Sequence, residues 1–133
     1  MPFSLDTYLG IHPDALKLQS KRTEVIADNL ANSDTPGYKA RDIDFRAAMA
    51  SAGSPDAPVK MTTDNPGHIA IDANTDASAN LKYRTPLAPA LDGNTVDTQQ
   101  EQAAFADNTV RYQATLTFLS ARFKGLMTAI TGQ

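Results

Sequence analysis

The chain has 133 residues, the size of one domain, which argues against two independent cores and against a large multi-substrate enzyme. With 7% aromatic residues, no Trp, 7 Gly and 8 Pro there is little material for a thick core, so an elongated or partly ordered protein is expected. A net charge of -3 with no basic half makes nucleic acid and anionic membrane poor partners, and zero cysteines exclude disulfides, thiolate metal sites, Fe–S clusters and cysteine nucleophiles.

Composition divides the chain into an N-terminal helical segment (1–32), a turn-rich middle (33–97) and a helical tail (98–133), together one structural unit. The N-terminus lacks a basic region followed by an unbroken apolar stretch, and no apolar run reaches the roughly 18 residues of a membrane span, so neither a secretory signal nor membrane insertion is expected. Ser4 to Leu9 suits a short helical turn stopped by Gly10. Pro13 and Asp14 then suit the first turn of a helix running from Asp14 to about Ala31. Its stripe is Leu16, Thr23, Ala27 and Leu30, widened by Leu18, Val25 and Ile26.

In the middle, Thr35-Pro36-Gly37-Tyr38 predicts a type II turn, because Pro presets the second position and Gly accepts positive φ at the third. Asp44 to Ala52 suits a short helix and Ser51 to Pro58 a loop. His68 to Asp72 alternates as a strand, and Leu81 to Arg84 is a candidate to pair with it in a small β-hairpin. Asp92-Gly93 adds a turn.

The tail carries the clearest pattern. Phe105, Tyr112, Leu119 and Leu126 recur every seven residues, with Thr109, Leu116, Phe123 and Ile130 four positions later. This coiled-coil spacing predicts one helix from Thr98 to Thr131, with Thr98 and Glu101 as a capping box. Such a helix reaches about 50 Å, whereas the N-terminal helix covers about half of it. The uncovered part calls for a further partner, here another subunit. The fold class expected is mainly α: N- and C-terminal helices in an elongated coiled-coil-like pair, joined by a turn-rich, partly irregular middle.

Nothing in the sequence assembles catalytic chemistry. His12 and His68 are the only imidazoles, and a surface or packing role suffices for each. No nucleophile elbow, P-loop or zinc-protease motif occurs, and acidic pairs such as Asp42 with Asp44 lie in a turn-rich segment with no basic or nucleophilic partner expected for them. Asp72, Asn74 and Asp76 imitate the first ligands of an EF-hand, but Ala77 and Tyr83 stand where Gly and Glu are required. No catalytic, cofactor-binding or metal-ligating residue is assigned, and no cofactor is expected.

The stretch Ile26-Ala27-Asp28-Asn29-Leu30-Ala31-Asn32-Ser33-Asp34-Thr35-Pro36-Gly37-Tyr38-Lys39 resembles the N-terminal signature of the bacterial flagellar basal-body rod and hook proteins. Ala40 to Phe45, Leu91 to Asp97 and Arg111 to Leu119 extend the resemblance in order along the chain. Within that family it is most like the short proximal rod members, since hook and distal rod proteins insert larger middle domains. The resemblance implies a non-enzymatic structural component of the flagellar rod in the periplasm, exported by the flagellar type III apparatus. It would assemble with further copies and other rod proteins above the inner-membrane ring to transmit torque for motility.

In that reading Phe105, Tyr112, Leu116, Leu119, Phe123, Leu126 and Ile130 form the C-terminal assembly seam, answered by Leu16, Val25, Ile26 and Leu30, while leftover apolar faces meet neighbours. Asn29, Ala31, Asn32, Thr35, Pro36, Gly37, Tyr38 and Lys39 set how the chain leaves its first long helix. Phe45 and Met49 fit the family's export-gate pattern of Phe, three residues and a hydrophobic residue. A soluble helical adapter or export chaperone, using the same seam without permanent assembly, is the alternative.

Overall fold

The computed structural model describes residues 5–52, 65, 81–86 and 88–132. In chain order these form helix α1 (Leu5–Leu9), helix α2 (His12–Ala31), strand β1 (Arg41–Ile43), helix α3 (Phe45–Ala52), strand β2 (Leu81–Tyr83) and helix α4 (Thr98–Thr131). The mainly helical fold with two long terminal helices agrees with the sequence.

Helix α2 starts two residues before the expected Asp14, because Pro13 fits the first turn and the Ala15 N–H already reaches the Ile11 carbonyl at 2.9 Å. Helix α4 has the expected bounds, but its cap differs. Asp97, not Thr98, accepts hydrogen bonds from the Gln99 and Gln100 N–H groups. Glu101 makes no capping box because its carboxylate is drawn inward to Arg84 and Asn29. Gly132, at φ 73°, ends the helix in the left-handed conformation that glycine adopts without a Cβ clash.

β2 pairs antiparallel with β1, with Asp42 opposite Lys82; the partner expected for Leu81 to Arg84 is His68 to Asp72. The latter segment, with His68 and the EF-hand-like Asp72, Asn74 and Asp76, lies outside the described residues. α3 begins one residue after Asp44, whose carboxylate accepts from the Ala47 N–H and so acts as its cap.

The packing is antiparallel. As residue numbers rise along α4, their partners fall through α2 to α1: Glu101 meets Asn29, Thr115 meets Gln19, and Arg122 meets Tyr8. A second face of α2 carries Leu18 and Val25 into a small apolar cluster with Ile43 and Ala48, flanked by Phe45, Met49 and Leu81. α2 is thus the central element, with α4 on one face and the β1–β2 pair with α3 on another.

Candidate assembly surfaces

The signature residues hold one short exit from α2. Asn29 is fully buried, and its amide Nδ2 donates to the Arg41 carbonyl at 2.7 Å and to Glu101 at 3.3 Å. Its Oδ1 accepts from the Arg41 N–H and the Tyr38 hydroxyl. Asn32 donates to the Asp28 carbonyl and accepts from the Thr35 hydroxyl, closing the last turn of α2. Gly37 then turns the chain at φ 75°, with the Tyr38 N–H returning to the Thr35 carbonyl, as a type II turn requires. Ala31, Thr35, Pro36 and Lys39 lie exposed around it.

This exit is fastened to the approach of α4. The Gly37 N–H donates to Asp92, the Thr95 N–H to Tyr38, and the Ala40 N–H to the Thr95 hydroxyl. The buried Asn94 amide donates to the carbonyls of Asn32, Ser33 and Thr35, pinning the turn that follows α2. No apolar stripe or charge pattern in the sequence points to Asn94. Its position two residues past Asp92, whose side chain accepts from the Asn94 N–H, is the turn signal that marks it.

A chain of alternating charge crosses the same region. Arg22 on α2 grips Asp42 on β1 through two hydrogen bonds of 2.9 Å. Arg84, just past β2, reaches Asp42 at 2.7 Å with one nitrogen and Glu101 on α4 at 3.1 Å with another. Burial disfavours the Asp42 carboxylate, but the hydrogen bonds and charges of Arg22 and Arg84 outweigh it and lower its pKa below the ordinary value. The Asp42 hydrogen bond raises the pKa of Arg22 against the effect of burial. Lys82 at 2.6 Å likewise lowers Asp44. The basic partners of both carboxylates, missing from the sequence reading, come from α2 and from β2 and the residue after it.

The long helix has two faces of different character. Toward the rest of the chain it presents Glu101, Ala104, Asn108, Tyr112, Thr115, Leu119 and Leu126; Glu101 and Asn108 are each 1% exposed and the others half-buried. Phe105, Leu116, Phe123 and Ile130, expected in the same seam, are instead exposed, Phe123 by 43% and Ile130 by 83%. On helical periodicity Leu116, Phe123, Met127 and Ile130 form one uncovered apolar flank. The seam expected from apolar spacing is therefore split, with Tyr112, Leu119 and Leu126 turned inward.

From α2, Ile26 is fully buried, Leu16 and Leu30 are half-buried, and Val25 packs with Ile43 rather than in a seam with α4. Ala27, counted in the α2 stripe, is exposed. His12 lies against Phe118 with ring centroids 6.2 Å apart. Phe45 and Met49 rest partly covered on the apolar cluster. Among the described residues no group of His, Asp and Glu is placed to hold a metal, and no helix is long and apolar enough to cross a membrane.

Comparison with known proteins bears on this arrangement. The chain is 44% identical over 130 residues to the flagellar basal body rod protein FlgB of Escherichia coli (strain K12), covering 95% of this chain and 94% of that protein. The chain belongs to the flagellar basal body rod protein family. A further rod protein FlgB, from Aeromonas hydrophila, is 42% identical over 134 residues, covering 100% of this chain and 99% of its own. That of Cereibacter sphaeroides is 46% identical over 125 residues, with 94% of each chain covered. The family model described as flagella basal body rod protein matches residues 9–39. In this rod-family chain those residues comprise α2 and the fastened exit from Asn29 to Lys39.

Proposed function

We propose that this chain is a structural component of the proximal flagellar rod, packing with further copies and with other rod proteins through its terminal helices. The observation that carries the reading is the apolar flank Leu116, Phe123, Met127 and Ile130, left uncovered on a helix of 34 residues. An exposed apolar strip of that length favours burial against another protein surface. The antiparallel helix pair supplies a stiff strut on which such contacts can be stacked, and torque would pass along it.

In the same reading the chain is exported by the flagellar type III apparatus and stands in the periplasm on the inner-membrane ring. Phe45 and Met49 are the proposed export-gate contact. Because both pack on the apolar cluster, the gate would read them in a chain whose α3 has come away from α2. The fastened exit of α2, from Asn29 to Lys39, would fix the direction in which the middle of the chain leaves the strut.

Electron microscopy of flagellar bases from cells lacking this protein, beside cells with the gene restored, tests the proposal. Bases with the inner-membrane ring but no rod are expected. Complete rods in its absence would contradict it and favour a soluble adapter or export chaperone.

A further inference from the structure

On α4, Glu101, Asn108, Thr115 and Arg122 stand seven residues apart, in one column facing the N-terminal helices. Every member of the column is polar, and each has a partner there. Glu101 accepts from the Asn29 amide. Asn108 donates to the Gln19 carbonyl and to the Thr23 hydroxyl, both at 2.9 Å. Thr115 accepts from the Gln19 amide at 3.1 Å while donating to its own helix at Arg111. Arg122 donates to the Tyr8 carbonyl and lies 5.9 Å from the centre of the Tyr8 ring.

These contacts leave a residue of unmet demand. Gln19 and Asn108 are 5% and 1% exposed, yet Gln19 Oε1 and Asn108 Oδ1 have no hydrogen-bond donor among the described residues. The amides cannot be turned over to cure this, because Asn108 must donate to a carbonyl, and the hydroxyl that Gln19 meets already donates elsewhere. Buried polar groups of this kind weaken a helix pair relative to apolar residues of similar size. In coiled coils, polar residues at such positions select one register and one partner, because every other pairing leaves more of them unmatched.

We infer that the column Glu101, Asn108, Thr115 and Arg122, read by Asn29, Thr23, Gln19 and Tyr8, is the register and partner key of the helix pair. A slip by one heptad sets Asn108 and Glu101 against the wrong neighbours and breaks the link to Arg84. Pairing of two α4 helices through this face would bury Glu101 against Glu101 or Asn108 without the Gln19 carbonyl. The face used within the chain is thus selective, which leaves the apolar flank on another side of α4 free for other contacts. The inference concerns the isolated chain and stands whether or not the rod assignment does.

The test uses the full chain, whose lack of cysteine allows spin labels to be placed at Ser20→Cys and Gln113→Cys, both exposed positions on α2 and α4. Pulsed electron spin resonance should give one narrow distance, and sedimentation one monomer. Gln19→Leu with Asn108→Leu should keep or raise the thermal midpoint and helicity while a second, longer distance appears, as a one-heptad slip slides the helices by about 10 Å past each other, or a dimer appears. Because Leu can overpack the seam, the same readouts are taken on Gln19→Ala with Asn108→Ala, which adds no volume. One unchanged distance with a monomer in both variants, or loss of helicity in both, would overturn the inference.

Discussion

Asn29 uses both amide hydrogens and its carbonyl oxygen within the chain, and its two hydrogen bonds with Arg41 hold the backbone ten residues beyond the end of α2. Asn29→Ala would strand the Arg41 N–H and carbonyl, costing about 2–4 kcal/mol, and Asn29→Asp at least as much because it sets a carboxylate beside Glu101. Urea unfolding should show a lowered midpoint for both. Asp42 is a second residue whose chemistry governs stability. Its folded pKa lies below the unfolded value, so its contribution is fully present above that unfolded value, near 3.8, and is lost as pH falls through the folded pKa. The thermal midpoint should therefore decline on acidification below about pH 4, and Asp42→Asn should flatten that decline while lowering the midpoint at pH 7.

Among the elements, α4 was the most legible in sequence, because a seven-residue pattern over four heptads has few readings other than a long helix. The turn at Pro36-Gly37 was equally plain, since few residues besides Gly tolerate its positive φ. Which face of α4 turns inward was not legible from hydrophobicity. Apolar spacing points to the apolar columns as the seam, whereas Glu101 and Asn108 are the most buried residues of the helix and Phe123 and Ile130 are exposed. Arg84 and Asn29 draw Glu101 inward and Gln19 and Thr23 draw Asn108, all from outside α4, and spacing along one helix carries no record of them. The signal present was a polar column at the same heptad interval.

The packing also loosens along α4: its buried residues, Glu101 and Asn108, lie in the N-terminal part, and Leu126 is the last residue even half covered. A helix gains most of its stability from tertiary packing. Amide exchange in the isolated chain should therefore be slow around Glu101 to Thr115 and at least tenfold faster beyond Phe123. Uniform protection along the helix would show that the C-terminal half is stable without a partner.

At the scale of the molecule, the inside is unusually polar and one outer flank unusually apolar. Among the described residues, Gln19, Asn29, Asn94, Glu101 and Asn108 are buried beside seven apolar residues, while Phe123, Met127 and Ile130 lie open. That inversion suits a component whose own fold is held by specific polar contacts and whose apolar surface is left for neighbours. Phe123→Asp separates the two roles. Because Phe123 is 43% exposed, the substitution should alter the stability of the isolated chain by less than about 1 kcal/mol, yet a carboxylate buried without a partner is strongly disfavoured in an assembled contact. The measurement is electron microscopy of flagellar bases from cells carrying Phe123→Asp, with circular dichroism of the purified variant alongside. A folded chain with no completed rod is expected; complete rods and normal swimming with the carboxylate in place would contradict the account.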